Sequence, residues 1–106
     1  MAVEGQRRLV FISGQVPMGV DGRVPEAFAD QADLAWGNLD AQLRAAGLTR
    51  DNLVKVTVFL ADRSHALENR AARARYLGDR QIAMSVAIVG IFDPAWLLEI
   101  EAFAAD

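Results

Sequence analysis

The residues DNLVKVTVFL (Asp51–Leu60) decide the fold. Val54, Val56, Val58 and Leu60 alternate with Leu53, Lys55, Thr57 and Phe59, the period of a strand whose side chains point to opposite faces. The first set is wholly apolar and predicts a face packed under helices, whereas the second mixes apolar with polar side chains. LLEIEAFA (Leu97–Ala104) repeats the pattern, with Leu98, Ile100 and Ala102 on one side and Leu97, Glu99, Glu101 and Phe103 on the other. The second face of the implied sheet therefore carries Leu53, Phe59, Leu97 and Phe103 beside Lys55, Thr57, Glu99 and Glu101.

Outward from these strands, RLVFIS (Arg8–Ser13) reads as a strand ending at Gly14. Val16–Val20 is a second short run, followed by the turn signal Asp21-Gly22 before Arg23-Val24, so a small hairpin is expected. Glu26–Ala46 is expected to be a helix, with Phe28, Ala35, Leu39, Leu43 and Ala46 on one face. Glu26 and Asp30 would occupy its first turn, where a carboxylate meets the positive end of the helix dipole. Gly47 follows, suited to the positive φ just past a helix end. A second helix is expected over Ser64–Leu77, capped by Asp62 or Ser64 and buried along Leu67, Ala71, Ala74 and Leu77. IAMSVAIV (Ile82–Val89) is a further strand, and Asp93-Pro94 breaks the chain before the last one.

The order β(β)αβαββ places two helices on one face of a mixed or antiparallel sheet, an α+β sandwich forming one domain over residues 1–106. No third helix remains to cover the other sheet face. A sheet face this apolar is seldom left in water, so self-association is expected, with the sheets of several copies facing each other.

Composition narrows the function. The chain has 106 residues, 53% of them hydrophobic, which excludes intrinsic disorder. With no Cys there is no disulfide scaffold, thiolate metal site or cysteine nucleophile, and a single His argues against an all-protein catalytic zinc site. A net charge of −3 disfavours nucleic acid as a partner. The charge-free stretch Gln81–Phe92, which none exceeds, is too short to span a membrane. The start, MAVEGQRRLV, lacks the apolar core of a signal peptide, so a cytoplasmic protein is expected. Arg63, Arg70, Arg73, Arg75 and Arg80 make the second helix region basic, but no aromatic interleaves them and Asp62, Glu68 and Asp79 offset them.

The segment FISGQVPMGVDGRVPEAFADQADLAWGNLDAQLRAAGLTRDNLVKVTVFLAD (Phe11–Asp62) resembles the reactive intermediate deaminase family, also called the YjgF or L-PSP type. Four features in order carry the likeness, which covers residues 8–105: SGQVP after the first strand, Gln31 early in the helix, the AAGLTRDNLVKVTVFLAD run, and LLEIEAFA. The resemblance implies a chorismate-mutase-like fold and a homotrimer whose sheets line a central barrel, with a small-molecule ligand in clefts between subunits. Active members hydrolyse imino or enamino acids to keto acids and ammonia with no metal and no cofactor, and some members have been assigned ribonuclease activity.

By the same resemblance Glu99 matches the family's water-activating glutamate. Ser13 matches the serine of the SGQ motif, and Asn69 the family's helix asparagine. A carboxylate is the group that can hold and deprotonate water beside an imine carbon. Glu101 is expected to pair with Lys55. The family's carboxylate-binding arginine, fifteen residues before the glutamate, is Met84 here. A thioether cannot pair a carboxylate, so Met84 is expected to form a pocket wall for a different ligand end. Arg80, four residues earlier and so about 13 Å away along a strand, could replace that cation only by a bent approach. Two alternatives to hydrolysis stand beside it: a non-catalytic trimer that binds a small molecule or partner, and a ribonuclease.

Overall fold

The computed structural model describes residues 2, 4–5 and 7–106. It contains β1 (Leu9–Gln15), α1 (Phe28–Ala45), β2 (Leu53–Leu60), α2 (Ala66–Leu77), β3 (Ala83–Ile88) and β4 (Leu98–Ala105). The strands form one four-stranded sheet in the order β1-β4-β2-β3. β4 is antiparallel to both neighbours and β2 is parallel to β3 through the α2 crossover. This is the α+β architecture read from the strand and helix periods.

Strand alternation sorts the side chains as expected along β4: Leu98, Ile100, Ala102 and Ala104 are buried while Glu99, Glu101 and Phe103 face the open side. β2 differs at its start. Leu53, expected on the open face, is in the core. The β2–β4 register slips between Leu53 and Lys55, and the irregularity turns Leu53 inward. A short 3₁₀ turn, Arg50–Asn52, replaces the first residues of the expected strand.

The core is built by Phe28, Ala32, Ala35, Trp36, Leu39 and Leu43 of α1 against Val56, Val58, Leu60, Leu98 and Ile100 of the sheet. Each such side chain, fully buried, contributes roughly 1.5–3 kcal/mol. Asp30 lies in the first turn of α1, but Glu26 precedes the N-cap, Ala27, and is outside the helix. Gly47 takes φ 75° as the helix ends.

Two expectations fail. Residues 16–24 form no hairpin. Pro17 has no N–H for a ladder, and Asn38 Nδ2 donates to the carbonyls of Val16 at 2.8 Å and Met18 at 3.1 Å. Only a tight turn remains, with Gly19 N–H donating to Arg23 O at 2.9 Å. The stripe expected on α2 holds only at Leu77: Leu67 is 75% exposed, Ala71 and Ala74 face outward, and the helix buries Asn69 and Ala72 in their place. A 3₁₀ turn, Arg63–His65, precedes it, with Ser64 N–H donating to Asp62 Oδ1 at 2.8 Å. That hydrogen bond holds the Asp62 carboxyl below its ordinary range.

Candidate functional site

Gln31 links the helix layer to the last strand. It is 1% exposed, and its Nε2 donates to Pro25 O at 2.7 Å and Ala95 O at 2.9 Å. Its Oε1 accepts from Leu97 N–H at 2.8 Å. The loop entering β4 is thereby pinned to α1, which fixes the position of Glu99 two residues on.

Glu99 lies on the open face, opposite Phe59 of β2. On its other side is the irregularity in β1, where pairing with β4 slips between Ile12 and Gln15. Gly14 sits in that irregularity, and the Glu99 carboxyl packs directly on its α-carbon. A Cβ at position 14 would be 2.6 Å from Glu99 Cδ and 2.9 Å from each carboxylate oxygen. Glycine here allows close approach rather than a special dihedral angle. Ser13 adjoins Gly14 on the exposed edge strand, and its carbonyl accepts from Gln15 Nε2 at 3.0 Å.

Asn69 and Met84 are elsewhere. Met84 pairs with Val56 across the parallel β2–β3 ladder, so it faces the helix layer, packs on the core edge and lines a cavity with Arg73, Leu77, Arg80 and Ile82. Asn69, 3% exposed, borders an adjacent cavity with Leu60, Arg73 and Val86. One chain thus carries two groups of candidate residues: Ser13, Gly14 and Glu99 at the β1 side, and Asn69 and Met84 under α2 at the β3 side. β1 and β3 are opposite edges of the sheet, roughly 14 Å apart at ordinary strand spacing. Among the described residues, Ser13 lines one cavity with Phe11 and Gln15, and Asn69 and Met84 line the two beside α2.

The expected Lys55–Glu101 pair is absent, because Lys55 Nζ donates to Ser85 Oγ at 2.6 Å. Among the described residues neither Glu99 nor Glu101 has a cationic partner. Arg80 is bound to Asp51 at 2.8 Å and donates to Leu77 O at 3.0 Å. His65 stacks on Phe28 with ring centroids 4.8 Å apart. Gly14 and Arg73 were missed as site residues. For Gly14 the signal was available, since an isolated glycine at a strand end marks a bulge or a close approach.

The open sheet face is rich in exposed apolar area. Phe11 is 71% exposed, Leu9 52% and Phe103 40%, and the two phenyl rings pack at 5.0 Å. Among the described residues no helix is long and apolar enough to cross a membrane.

Residues 2–106 match the family model described as Endoribonuclease L-PSP. Protein HMF1 of Saccharomyces cerevisiae is 34% identical over 99 residues, which span 92% of this chain and 77% of that protein. A RutC family protein of Pyrococcus horikoshii is 32% identical over 99 residues, 90% of this chain and 77% of its own length. Among solved structures, E. coli TdcF with bound serine superposes with a TM-score of 0.88 at 29% identity, covering 99% of this chain and 84% of that one.

Proposed function

The chain belongs to the Endoribonuclease L-PSP family, which includes relatives named as reactive intermediate deaminases, and from that premise we propose that it hydrolyses an imine or enamine in a cleft between subunits of a homotrimer. The substrate is non-standard, because Met84 stands where the family resemblance calls for the carboxylate-binding arginine. The observation that carries the reading is the contact of Glu99 with Gly14, which holds an unpaired carboxylate at the β1 edge. Its complement, Asn69 and Met84, lies at the opposite edge. Two such halves meet only when the β1 side of one copy faces the β3 side of the next. That contact is heterologous, and a heterologous contact whose rotation is one third of a turn closes into a three-membered ring. The exposed Phe11–Phe103 pair supplies an apolar face for the interior of that ring.

In this site Glu99 removes a proton from water as the oxygen adds to the imine carbon. The nitrogen takes up that proton. The C–N bond of the resulting carbinolamine then breaks as Glu99 carries its hydroxyl proton to the departing nitrogen, leaving a carbonyl compound and ammonia. Ser13 and Asn69 orient the substrate, and Met84 forms an apolar wall. No step calls on a metal or an organic cofactor.

The test is ammonia release from a panel of imines and enamines, charged and uncharged, generated in situ. At least one should be turned over, and Glu99→Gln should lower that turnover at least a hundredfold, the scale of a lost general base, while the assembly persists. Met84 also favours a second reading, a trimer that binds a small molecule or partner without chemistry. No ammonia release from any member of the panel would put that reading first.

A further inference from the structure

The groove between α2 and β3 holds a positive charge, Arg73, that the hydrolytic reading leaves unused. Two cavities lie along it, about 160 Å³ beside Asn69 and about 340 Å³ beside Met84, and Arg73 lines both. Asn69 and Arg73 are four residues apart on α2 and so share a helix face. The Asn69 Oδ1 is buried and has no hydrogen-bond partner in the protein. A buried amide oxygen without a partner is costly and rare in a folded protein.

The cations around the groove are not equivalent. Arg80 is taken by Asp51, Arg70, which lines the smaller cavity, is exposed to solvent, and Arg75 lies on the α1 side of the helix, beside Asp33 at 3.1 Å. Arg73 has no carboxylate partner among the described residues, although it is half-buried. A guanidinium partly withdrawn from water gains most from a planar anion that it can bind through two N–H groups.

We infer that Arg73 is the anion anchor of this groove and takes the carboxylate of the substrate, while the Asn69 Oδ1, an acceptor, takes the substrate's N–H. The inference deepens the hydrolytic reading and rests on it. Its consequence is a substrate class. Arg73 issues from α2, whereas position 84 issues from β3, the edge strand that faces the neighbouring copy's Glu99 in the proposed assembly. An acid group held by Arg73 lies farther from the sheet than one held at position 84 would. The fitting substrate is an imine or enamine whose carboxylate is separated from the reacting carbon by further carbons, which lie along Met84 and Val86.

The probes are 4-oxopentanoate and pyruvate, ketone products with a distant and an adjacent carboxylate, titrated into the assembled full chain by calorimetry. The expected result is that 4-oxopentanoate binds at least tenfold tighter than pyruvate. Arg73→Gln should weaken it at least tenfold, Arg73→Lys less, and Arg75→Gln not at all. Equal binding by Arg73→Gln and the native chain, pyruvate binding as tightly, or no binding of either probe would each overturn the anchor. The anchor and the hydrolysis fail separately. Arg73-dependent binding by a chain that releases no ammonia keeps the first and removes the second. Glu99-dependent ammonia release from uncharged imines, with binding indifferent to Arg73, does the reverse.

Discussion

The Glu99 carboxyl rests on the α-carbon of Gly14, with room for nothing larger: a methyl group there would lie 2.6 Å from Glu99 Cδ. The contact joins the motif after the first strand to the motif in the last, two segments separated by nearly the whole chain. Both are brought together by the antiparallel β1–β4 ladder.

Gly14→Ala separates position from fold. The added methyl meets the far end of a flexible side chain rather than backbone, so Glu99 swings away at little cost. Thermal stability should change by only a few degrees, on the scale of a substitution worth ~1 kcal/mol. Ammonia release should fall at least tenfold, since a base displaced by about 1 Å loses on the order of 10²-fold in rate. Unchanged turnover would detach the contact from the chemistry.

Assembly is tested at Phe11. It is 71% exposed and packs on Phe103 with the rings tilted by 46°, on a face that no helix among the described residues covers. Light scattering of the native chain should give three times its 11.5 kDa mass. Phe11→Asp places a charge in that interface and should shift the mass to one chain, with the far-ultraviolet circular dichroism retained and activity lost. A native monomer at micromolar concentration would remove both the trimer and the shared cleft.

Gln31 should matter to stability first. Gln31→Leu leaves Leu97 N–H and the carbonyls of Pro25 and Ala95 without the partners they have now. At about 1–3 kcal/mol for each buried group left unsatisfied, and with water reaching part of the loop, urea denaturation should show a loss of about 3 kcal/mol. A loss under about 1 kcal/mol would mean that the loop repairs its own hydrogen bonds.

Asp106 gives a pH-dependent signature. Hydrogen bonds from the Arg8 side chain (2.8 Å to Oδ2) and backbone N–H (2.8 Å to Oδ1) hold its carboxyl below the ordinary value of 3.8. A folded-state pKa below the unfolded one contributes stability that is present above the unfolded value and lost as pH falls through the folded one. The stability difference between the native chain and Asp106→Asn should therefore be constant above about pH 5 and close below about pH 4. A difference that persists unchanged at pH 2 would assign the contact's contribution to geometry rather than charge.

The strands and α1 were legible because their apolar residues are large and strictly periodic: Val56, Val58, Leu60 and Leu39, Leu43 allow one facing each. α2 was not legible in the same way. Its alanines fit any face equally, and its buried positions include a polar residue, Asn69, so Leu67 drew the stripe to the wrong side. Leu53 was misplaced because a register slip inverts alternation without leaving a mark in composition. The site was legible only in pieces. Ser13, Asn69, Met84 and Glu99 were named from motifs, but which of them adjoin depends on strand order, and the order puts β1 and β3 at opposite edges. Arg73 is one of several arginines in a basic stretch, and it is distinguished by the pairing of Arg75 and Arg80 with Asp33 and Asp51 and by the exposure of Arg63 and Arg70.

Met84 is the position at which the substrate range should be convertible. Its side chain faces the helix layer and lines the groove with Arg73, so a cation placed there would enter the cleft rather than solvent. The native chain should show negligible turnover of 2-iminopropionate and 2-aminoacrylate, whose carboxylates adjoin the reacting carbon and which a thioether cannot hold. Met84→Arg restores a bidentate cation on the strand. A charge-assisted hydrogen bond of about 1.5–3 kcal/mol corresponds to roughly ten- to hundredfold in kcat/KM. The observed gain should lie toward the lower end, because the new guanidinium shares its cavity with Arg73 and the two charges repel. Met84→Arg combined with Arg73→Gln relieves that repulsion, so the double variant should exceed the single one on both substrates. On an imine with a distant carboxylate it should fall below the native chain. Native turnover equal to that of Met84→Arg would show that a strand cation is not what these small substrates need.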